Sequence, residues 1–470
     1  MNGSRKFFRN GLMVAGSMLA ITWAGAAAAD GTAPCNTGSG ADSLECGVGS
    51  DASGELATAV GTDATADGTD ATAVGENASA TGPSTTAVGG ESVANGIAAT
   101  AFGWQSNATG ERAHAIGHIA SAQGDFSLAV GENAQAQSDN STAIGNQSVA
   151  NGTDALAIGD SASATGTSTT AVGGESVANG TAATAFGWQS NATGERAHAF
   201  GHLASAQGDF SLAIGENAQA QSANATAIGN QAVANGTDAL SMGDSASATG
   251  TSTTAIGGES VANGTAATAF GWQANATGER AHAIGHLASA QGERTLAVGE
   301  AASAVGLNAT AIGSDSSAAF AGSTAIGAGA VTTRENQVAL GTSSSTYTMS
   351  GITSGASRSA QSGPLEMVTS DANGNLATDG GAFFNAIQAN NRGLQENAEG
   401  VAIALAMETP YVPPSNRWTL SGGYGYFEDQ NALSVAGAIR ANEYMQFSAG
   451  VGVGLDSDTV GARAGFSISR

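Results

Sequence analysis

Every histidine in this chain belongs to a copied unit. His114, His198 and His282 are spaced 84 residues apart, as are His118, His202 and His286, and the stretch Ala-Phe-Gly-Trp-Gln repeats Trp104, Trp188 and Trp272 at the same interval. Imidazole is the usual proton carrier and metal ligand near neutral pH, but an enzyme needs one well-placed constellation, not three dilute copies. No Ser/His/Asp order, His-Glu-x-x-His, phosphate loop or paired carboxylates stands outside the repeat. The chain therefore reads as a non-enzyme without cofactor or metal. His114 and its copies fall on an apolar stripe and read as packed neutral imidazoles. Each Trp is trailed by a Glu-Arg pair (Glu111-Arg112, Glu195-Arg196, Glu279-Arg280). Large aromatics rimmed by charge suit binding anchors, though packing on a neighbouring coil would place Trp there equally well.

Cys35 and Cys46 are the only cysteines. At this spacing in an exported chain they read as one disulfide, worth roughly 3 kcal/mol in the chain-entropy model. Placed ahead of the repeats, at 30–56, the bridge would cap the open end of a stack. The C-x-x-C spacing of a redox centre is absent. Export is expected from residues 1–29, where Arg5, Lys6 and Arg9 precede an apolar run and Ala27-Ala28-Ala29 offers a cleavage site. Losing those three bases takes the net charge from −25 to −28 and leaves no lysine. Such a surface repels nucleic acid and anionic membranes. Most acids follow a repeat glycine by one or two places (Glu76, Glu91, Glu132, Asp160, Glu175), where solvation explains them, and the calcium repeat G-G-x-G-x-D is missing.

The elements that position these residues follow from glycine. From Gly61 to Gly341 a glycine stands at every fourteenth residue, and a second falls halfway in 16 of the 20 intervals, the exceptions being Ser138, Ser222, Phe320 and Arg334. A strict short period means stacked coils of one unit, here at 57–341. With the glycine as position 0, positions 3, 5, 10 and 12 are mostly Ala or Ser (Ala64, Ala66, Ala71, Ala73). Alternate residues of a strand share a face, so these small side chains line the interior of a roll with two short strands per coil. Positions 4 and 6 are mainly polar. Positions 11 and 13 form an apolar stripe (Val130, Leu156, Ile158, Ile228, Leu240) too tall to leave in water, and another copy of the same stripe is the obvious partner. Twenty coil steps give a rod on the order of 100 Å.

After a connector at 342–382, with a turn expected at Asn373-Gly374, residues 383–409 carry a heptad seam of Phe384, Ile387, Asn391, Leu394, Ala398, Val401 and Leu405. Prolines then stop the helix. Residues 410–470 read as four strands of about ten residues with apolar-out, polar-in alternation. Phe447, Val451, Val460, Phe466 and Ile468 fall on the lipid face. Four strands cannot close a membrane barrel, but three chains would give twelve, with three helices through the pore.

The signal segment, the A-x-A-[IV]-G repeats, the heptad seam and the four terminal strands together resemble a trimeric autotransporter adhesin of the YadA-like kind. Gly400-Val401-Ala402-Ile403-Ala404-Leu405-Ala406 before the prolines is similar to that family's anchor helix. The resemblance implies a mostly β chain: a left-handed parallel β-roll head, a short trimeric coiled coil and a twelve-stranded transmembrane barrel that exports its own passenger. It implies a homotrimer in the outer membrane and on the cell surface of a bacterium, inserted by the barrel assembly machinery, with no nucleic-acid partner. It implies binding to extracellular matrix proteins, host cells or other bacteria, and makes Trp104, Trp188 and Trp272 the candidate adhesion surface. The chain ends in Arg470 where family members usually end in an aromatic residue. The short stalk should hold the head close to the membrane. A rival reading is an ice- or mineral-binding β-solenoid, since Thr58, Thr72, Thr86 and Thr100 align on successive coils, although His or Leu interrupts the row.

Overall fold

A computed structural model describes residues 35–470, so the expected signal segment lies outside the described residues. The chain divides into two compact units at Ser345 and Thr346.

The first unit is a mostly β solenoid. A hairpin of Asn36–Thr37 and Leu44–Cys46, joined by the Cys35–Cys46 disulfide, opens it, and Leu44–Cys46 pairs in parallel with Thr58–Val60 of the first full coil. From there each coil supplies one three-residue strand at positions 11 to 13 and one two-residue strand at positions 4 and 5. The three-residue strands form a 23-stranded sheet that includes the hairpin and ends on Val338–Leu340. The two-residue strands form a linear parallel ladder from Thr65–Ala66 to Ser317–Ala318, continued by single bridges to Asp51 and Val331.

Why these residues make this coil is visible at its two turns. Gly61, at position 0, has φ +136°, a value that L side chains rarely adopt, and a Cβ there would collide with the Gly75 carbonyl of the next coil. Gly68, at position 7, has an ordinary φ but approaches Gly82 just as closely. Each half-coil then takes one left-handed residue, at position 2 (Asp63, Asn77, Glu91) and position 9 (Asp70, Ser84, Ala98). The turns bond from coil to coil as the strands do: Gly75 N–H donates to Val60 O at 2.8 Å and Asn77 N–H to Thr62 O at 2.8 Å. Inside, Ala at positions 3, 5, 10 and 12 is fully buried along the whole stack. Where Ser or Thr replaces it, many of the hydroxyls donate to a turn carbonyl, as Thr85 Oγ1 does to Gly82 O at 2.6 Å and Ser92 Oγ to Gly89 O at 2.8 Å, while others, such as Ser127 and Ser241, are buried without a partner.

The second unit begins with a connector. A short helix, Gly355–Ala360, is capped by Ser354, and a hairpin pairs Val368–Ser370 with Leu376–Thr378 around Gly374. Asp379 ties the hairpin to the next helix. Its carboxylate accepts from the N–H groups of Phe383 at 2.8 Å, Met367 at 3.0 Å and Gly381 at 3.0 Å, and these bonds, Phe383 foremost, hold its pKa below the ordinary carboxylate value. The long helix Ala382–Ala406 follows. Strands Trp418–Phe427, Gln430–Arg440, Met445–Gly454 and Val460–Ile468 then form an antiparallel meander. Its first and last strands each pair on one side only.

Candidate functional site

Three parts of the molecule carry candidate functional residues: the turns at position 1 of the head, the outer face of its three-residue strands, and the helix-on-sheet unit at the C-terminus.

At position 1 the side chains of successive coils stack in a column, registered by turn bonds such as Gln105 N–H to Gly90 O at 2.8 Å and Ile119 N–H to Trp104 O at 2.9 Å. The column repeats with the 84-residue period: Gly90, Trp104, His118, Glu132, Asn146, Asp160, then Gly174 and Trp188 onward. Trp104 stacks on His118 with ring centroids 5.0 Å apart, and Trp188 on His202 and Trp272 on His286 do the same. Each of these imidazoles reaches a carboxylate one coil on, His118 to Glu132 at 3.5 Å, His202 to Glu216 at 3.5 Å and His286 to Glu300 at 3.4 Å. On its other side Trp104 leans over Gly90, where a Cβ would stand 2.9 Å from Trp104 Cδ1. The tryptophans remain 46–48% exposed, so each is packed between coils and presented to solvent. The packing read from the sequence is present, and the exposed remainder of each ring is open to solvent.

The Glu-Arg pairs that trail the tryptophans lie on the opposite turn. Arg112 sits 5.3 Å from the Phe126 ring and Arg196 5.4 Å from Phe210, each beside its own glutamate. They do not rim the tryptophans. The carboxylates that do, at position 2, were not singled out from the sequence as neighbours of Trp: Glu91, Glu175 and Glu259, each bonded at 2.6–2.7 Å to a Gln next to the Trp (Gln105, Gln189, Gln273). Writing the coils one under another would have shown them. Among the described residues no cluster of three His, Cys, Asp or Glu side chains is arranged to hold a metal ion.

On the three-residue strands, Val130, Leu156, Ile158, Ile228 and Leu240 lie on the outer face and are half-buried, while Phe102, Phe186 and Phe270 on the same face are more than half exposed. His114 and His282 are exposed on this face and His198 is half-buried. The threonine row Thr58, Thr72, Thr86 and Thr100 is in register, and His114 and Leu128 end it.

In the C-terminal unit the long helix has two different faces. Ala398, Glu399, Ala402, Ile403 and Ala406 are buried against the sheet. Glycines make room for them: a Cβ on Gly423 or Gly425 would collide with the carbonyls of Ala406 or Ala402, and one on Gly452 would stand 2.7 Å from Ile403 Cγ2. Phe384, Ile387, Asn391, Leu394, Val401 and Leu405 of the heptad seam are exposed on the single chain. Ala398 departs from the seam, at 9% exposure on the flank that meets the sheet. At about 100° per residue Ala398 lies on the side of the seam nearer Ala402, and Val401 and Leu405 beyond it are exposed again. On the sheet's other face Phe447, Val451, Val460, Phe466 and Ile468 are exposed.

Sequence reading missed Glu399, which falls between seam positions and carries no periodic signal. It is fully buried, and its carboxylate accepts from the N–H groups of Asp456 at 2.7 Å, Ser457 at 2.8 Å and Thr459 at 3.2 Å, in the hairpin between the last two strands. Gly454 lies against that carboxylate, with no room for a Cβ.

These geometries agree with the family comparison. The YadA head domain repeat matches in overlapping windows from 52–78 to 321–344, covering more than half of the chain, and the YadA-like membrane anchor domain matches residues 410–469. No curated protein matches. A solenoid built of the head repeat, followed by the four strands of the anchor, makes this chain a member of the YadA-like trimeric autotransporter adhesin family, held at the outer membrane by its C-terminal domain.

Proposed function

We propose that three copies of this chain assemble into one surface adhesin. Each copy contributes four strands to a twelve-stranded barrel in the outer membrane and one helix to a coiled coil in its pore, and the heads associate through their apolar stripes. The observation that carries this reading is the C-terminal unit. It has two open sheet edges, an outer face of Phe and Val with the spacing of a lipid-facing strand, and a helix whose heptad seam is exposed among the described residues. Unpaired edges cannot face hydrocarbon, and closing the ring with two further copies satisfies them. Export through the inner membrane by the signal segment, insertion by the barrel assembly machinery and self-export of the head complete the route.

The head then binds extracellular matrix proteins, host cells or other bacteria, and the exposed tryptophan turns contribute to that attachment. Three chains display nine tryptophans in rings about 29 Å apart, and repeated display of a weak site holds a fibrous partner firmly. Outer-membrane fractions run unheated on a denaturing gel should show a band near three times the mature mass; a stable monomer or an even-numbered oligomer overturns the trimer. Cells bearing the full chain should attach to an array of matrix proteins on which cells bearing only residues 383–470 do not. Equal attachment overturns the role of the head.

A further inference from the structure

The turns around the tryptophans share one construction, in which a glycine separates an aromatic face from a carboxylate. In the column at position 1, Glu76, Gly90 and Trp104 follow one another on successive coils, as do Asp160, Gly174 and Trp188, and Asp244, Gly258 and Trp272. Turn bonds run through each set, Glu91 N–H to Glu76 O at 2.7 Å and Gln105 N–H to Gly90 O at 2.8 Å in the first. Two coil steps, about 10 Å at the strand spacing, separate the tryptophan from the first carboxylate. Between them stands a residue with no side chain. His118 covers one face of Trp104, and on the other side the pyrrole edge lies over Gly90, where a Cβ would stand 2.9 Å from Cδ1.

A second carboxylate flanks each gap. Glu91, Glu175 and Glu259 are exposed beside the glycines, with one oxygen held by a Gln from the tryptophan's coil. In the second and third copies the first carboxylate is also oriented, Asn146 donating to Asp160 at 2.8 Å and Asn230 to Asp244 at 2.9 Å. Arg112 and Arg196 are engaged elsewhere, on phenylalanine rings at the opposite turn.

We propose that these gaps are three slots for the cationic side chains, lysine or arginine, of a basic polypeptide. An ammonium or guanidinium group entering a slot meets a tryptophan face on one side and carboxylates on the other two. That combines the strongest aromatic partner for a cation with full charge compensation. Charge complementarity selects the occupant: the chain has 39 acidic residues against 14 basic ones, so an acidic or neutral partner gains nothing here. The slots recur every six coils, about 29 Å, which lets one extended basic chain occupy two of them. This inference rests on the adhesin reading for its biological use and on the slot geometry for its chemistry.

The test uses the full-length assembly in detergent at about 0.15 M salt, with a fluorescent oligolysine of about twenty residues, long enough to bridge two slots, and its fully side-chain-acetylated counterpart. Oligolysine should bind and the neutral peptide should not. The triple variant Trp104→Leu, Trp188→Leu, Trp272→Leu, which changes no charge, should weaken oligolysine binding about tenfold. The set Glu91→Gln, Glu175→Gln, Glu259→Gln should do the same, whereas Asp70→Asn, Asp154→Asn, Asp238→Asn on the opposite turn removes the same charge with little effect. Equal weakening by the two charge-removing sets, or unchanged binding in the leucine set, overturns the slots in favour of diffuse attraction. Should the leucine set fail to assemble, the comparison of the two charge-removing sets decides alone. Cell attachment, measured in parallel, separates the two readings. Peptide binding lost with attachment intact upholds the slots and removes their role in adhesion, while attachment lost with peptide binding intact overturns the slots.

Discussion

Along the head the interior is built from Ala, Ser and Thr, and the largest fully buried side chains there are threonines. In the C-terminal unit the largest is Glu399, a carboxylate sunk between a helix and a hairpin. The head spreads its stability over many near-identical contacts between adjacent coils, each coil touching only its neighbours. Between helix and sheet the C-terminal unit gathers its specificity at a few points: glycines such as Gly423, Gly425, Gly452 and Gly454, one serine that bonds Ala406 O at 2.6 Å, and one buried charge that satisfies three backbone N–H groups. The lesson is one of fault tolerance. A stack of equal coils can lose one contact locally, but a unit closed by a single buried carboxylate cannot.

The largest expected effect follows from that difference. Glu399→Ala orphans three N–H groups in one hairpin, and groups left unpaired after burial cost about 1–3 kcal/mol each. We expect the heat-resistant assembly to disappear from unheated gels. Gly454→Ala should be as damaging, because its Cβ would collide with the carboxylate. The double variant should be less damaged than the two single effects added together, since the collision vanishes with Glu399. Additive losses would mean that Glu399 and Gly454 act independently and that the hairpin is not clamped.

Next in size is charge on the stripe. Leu156→Asp with Leu240→Asp would place a carboxylate from each chain around one axis, and a buried unpaired charge is among the most costly substitutions. Ser163→Asp with Ser247→Asp, on the half-exposed polar face of the other sheet, should change the melting temperature of the assembled head by little. Equal melting temperatures for the two pairs would reverse the assignment of faces.

How much of this was legible in the sequence differs between the same two regions. The head was legible almost to the residue, because Ala57-Thr58-Ala59-Val60-Gly61 recurs with a period that fixes strands, turns and interior together. What escaped was lateral. The partners of Trp104 are Gly90 and His118, fourteen residues away on either side, and appear only when coils are superposed. In the C-terminal unit the four strands were legible from alternation, and their expected length of about ten residues is met by Met445–Gly454. The helix that carries the heptad seam was legible too, but the face it turns to the sheet was not. Ala398, Ala402 and Ala406 give no sign in sequence that glycines of a sheet await them, and a single Glu among polar residues looks like solvated surface.

A smaller effect separates the regions by reach. Ala157→Val adds two methyl groups to a closely packed interior, an overpacking worth about 1–3 kcal/mol. In a stack of nearest-neighbour contacts the damage should stay within the coils on either side. Amide hydrogen exchange should rise near Ala143, Ala157 and Ala171, which are paired in register, and be unchanged near Ala269. A uniform rise along the head would show that the solenoid unfolds as one unit and that the tolerance argued above does not exist.

The smallest effect lies at the junction before the long helix, where charge works with little burial. Asp379 is half-buried, and its carboxylate stays ionised to lower pH than usual because the N–H groups of Phe383, Met367 and Gly381 point at it. A depressed pKa in the folded state means that its contribution is complete above the ordinary value of 3.8 and is lost as pH falls through the lowered one. The junction should therefore be pH-independent through the neutral range and loosen only in acid. Amide protection at Phe383 and Met367 should be constant from neutral pH down to about 4, close to the ordinary carboxylate value, and fall below it. In Asp379→Asn the same amides should be less protected at neutral pH and show no acid step. Protection that fell in acid equally in both proteins would assign the step to another group and show that Asp379 does not hold the junction.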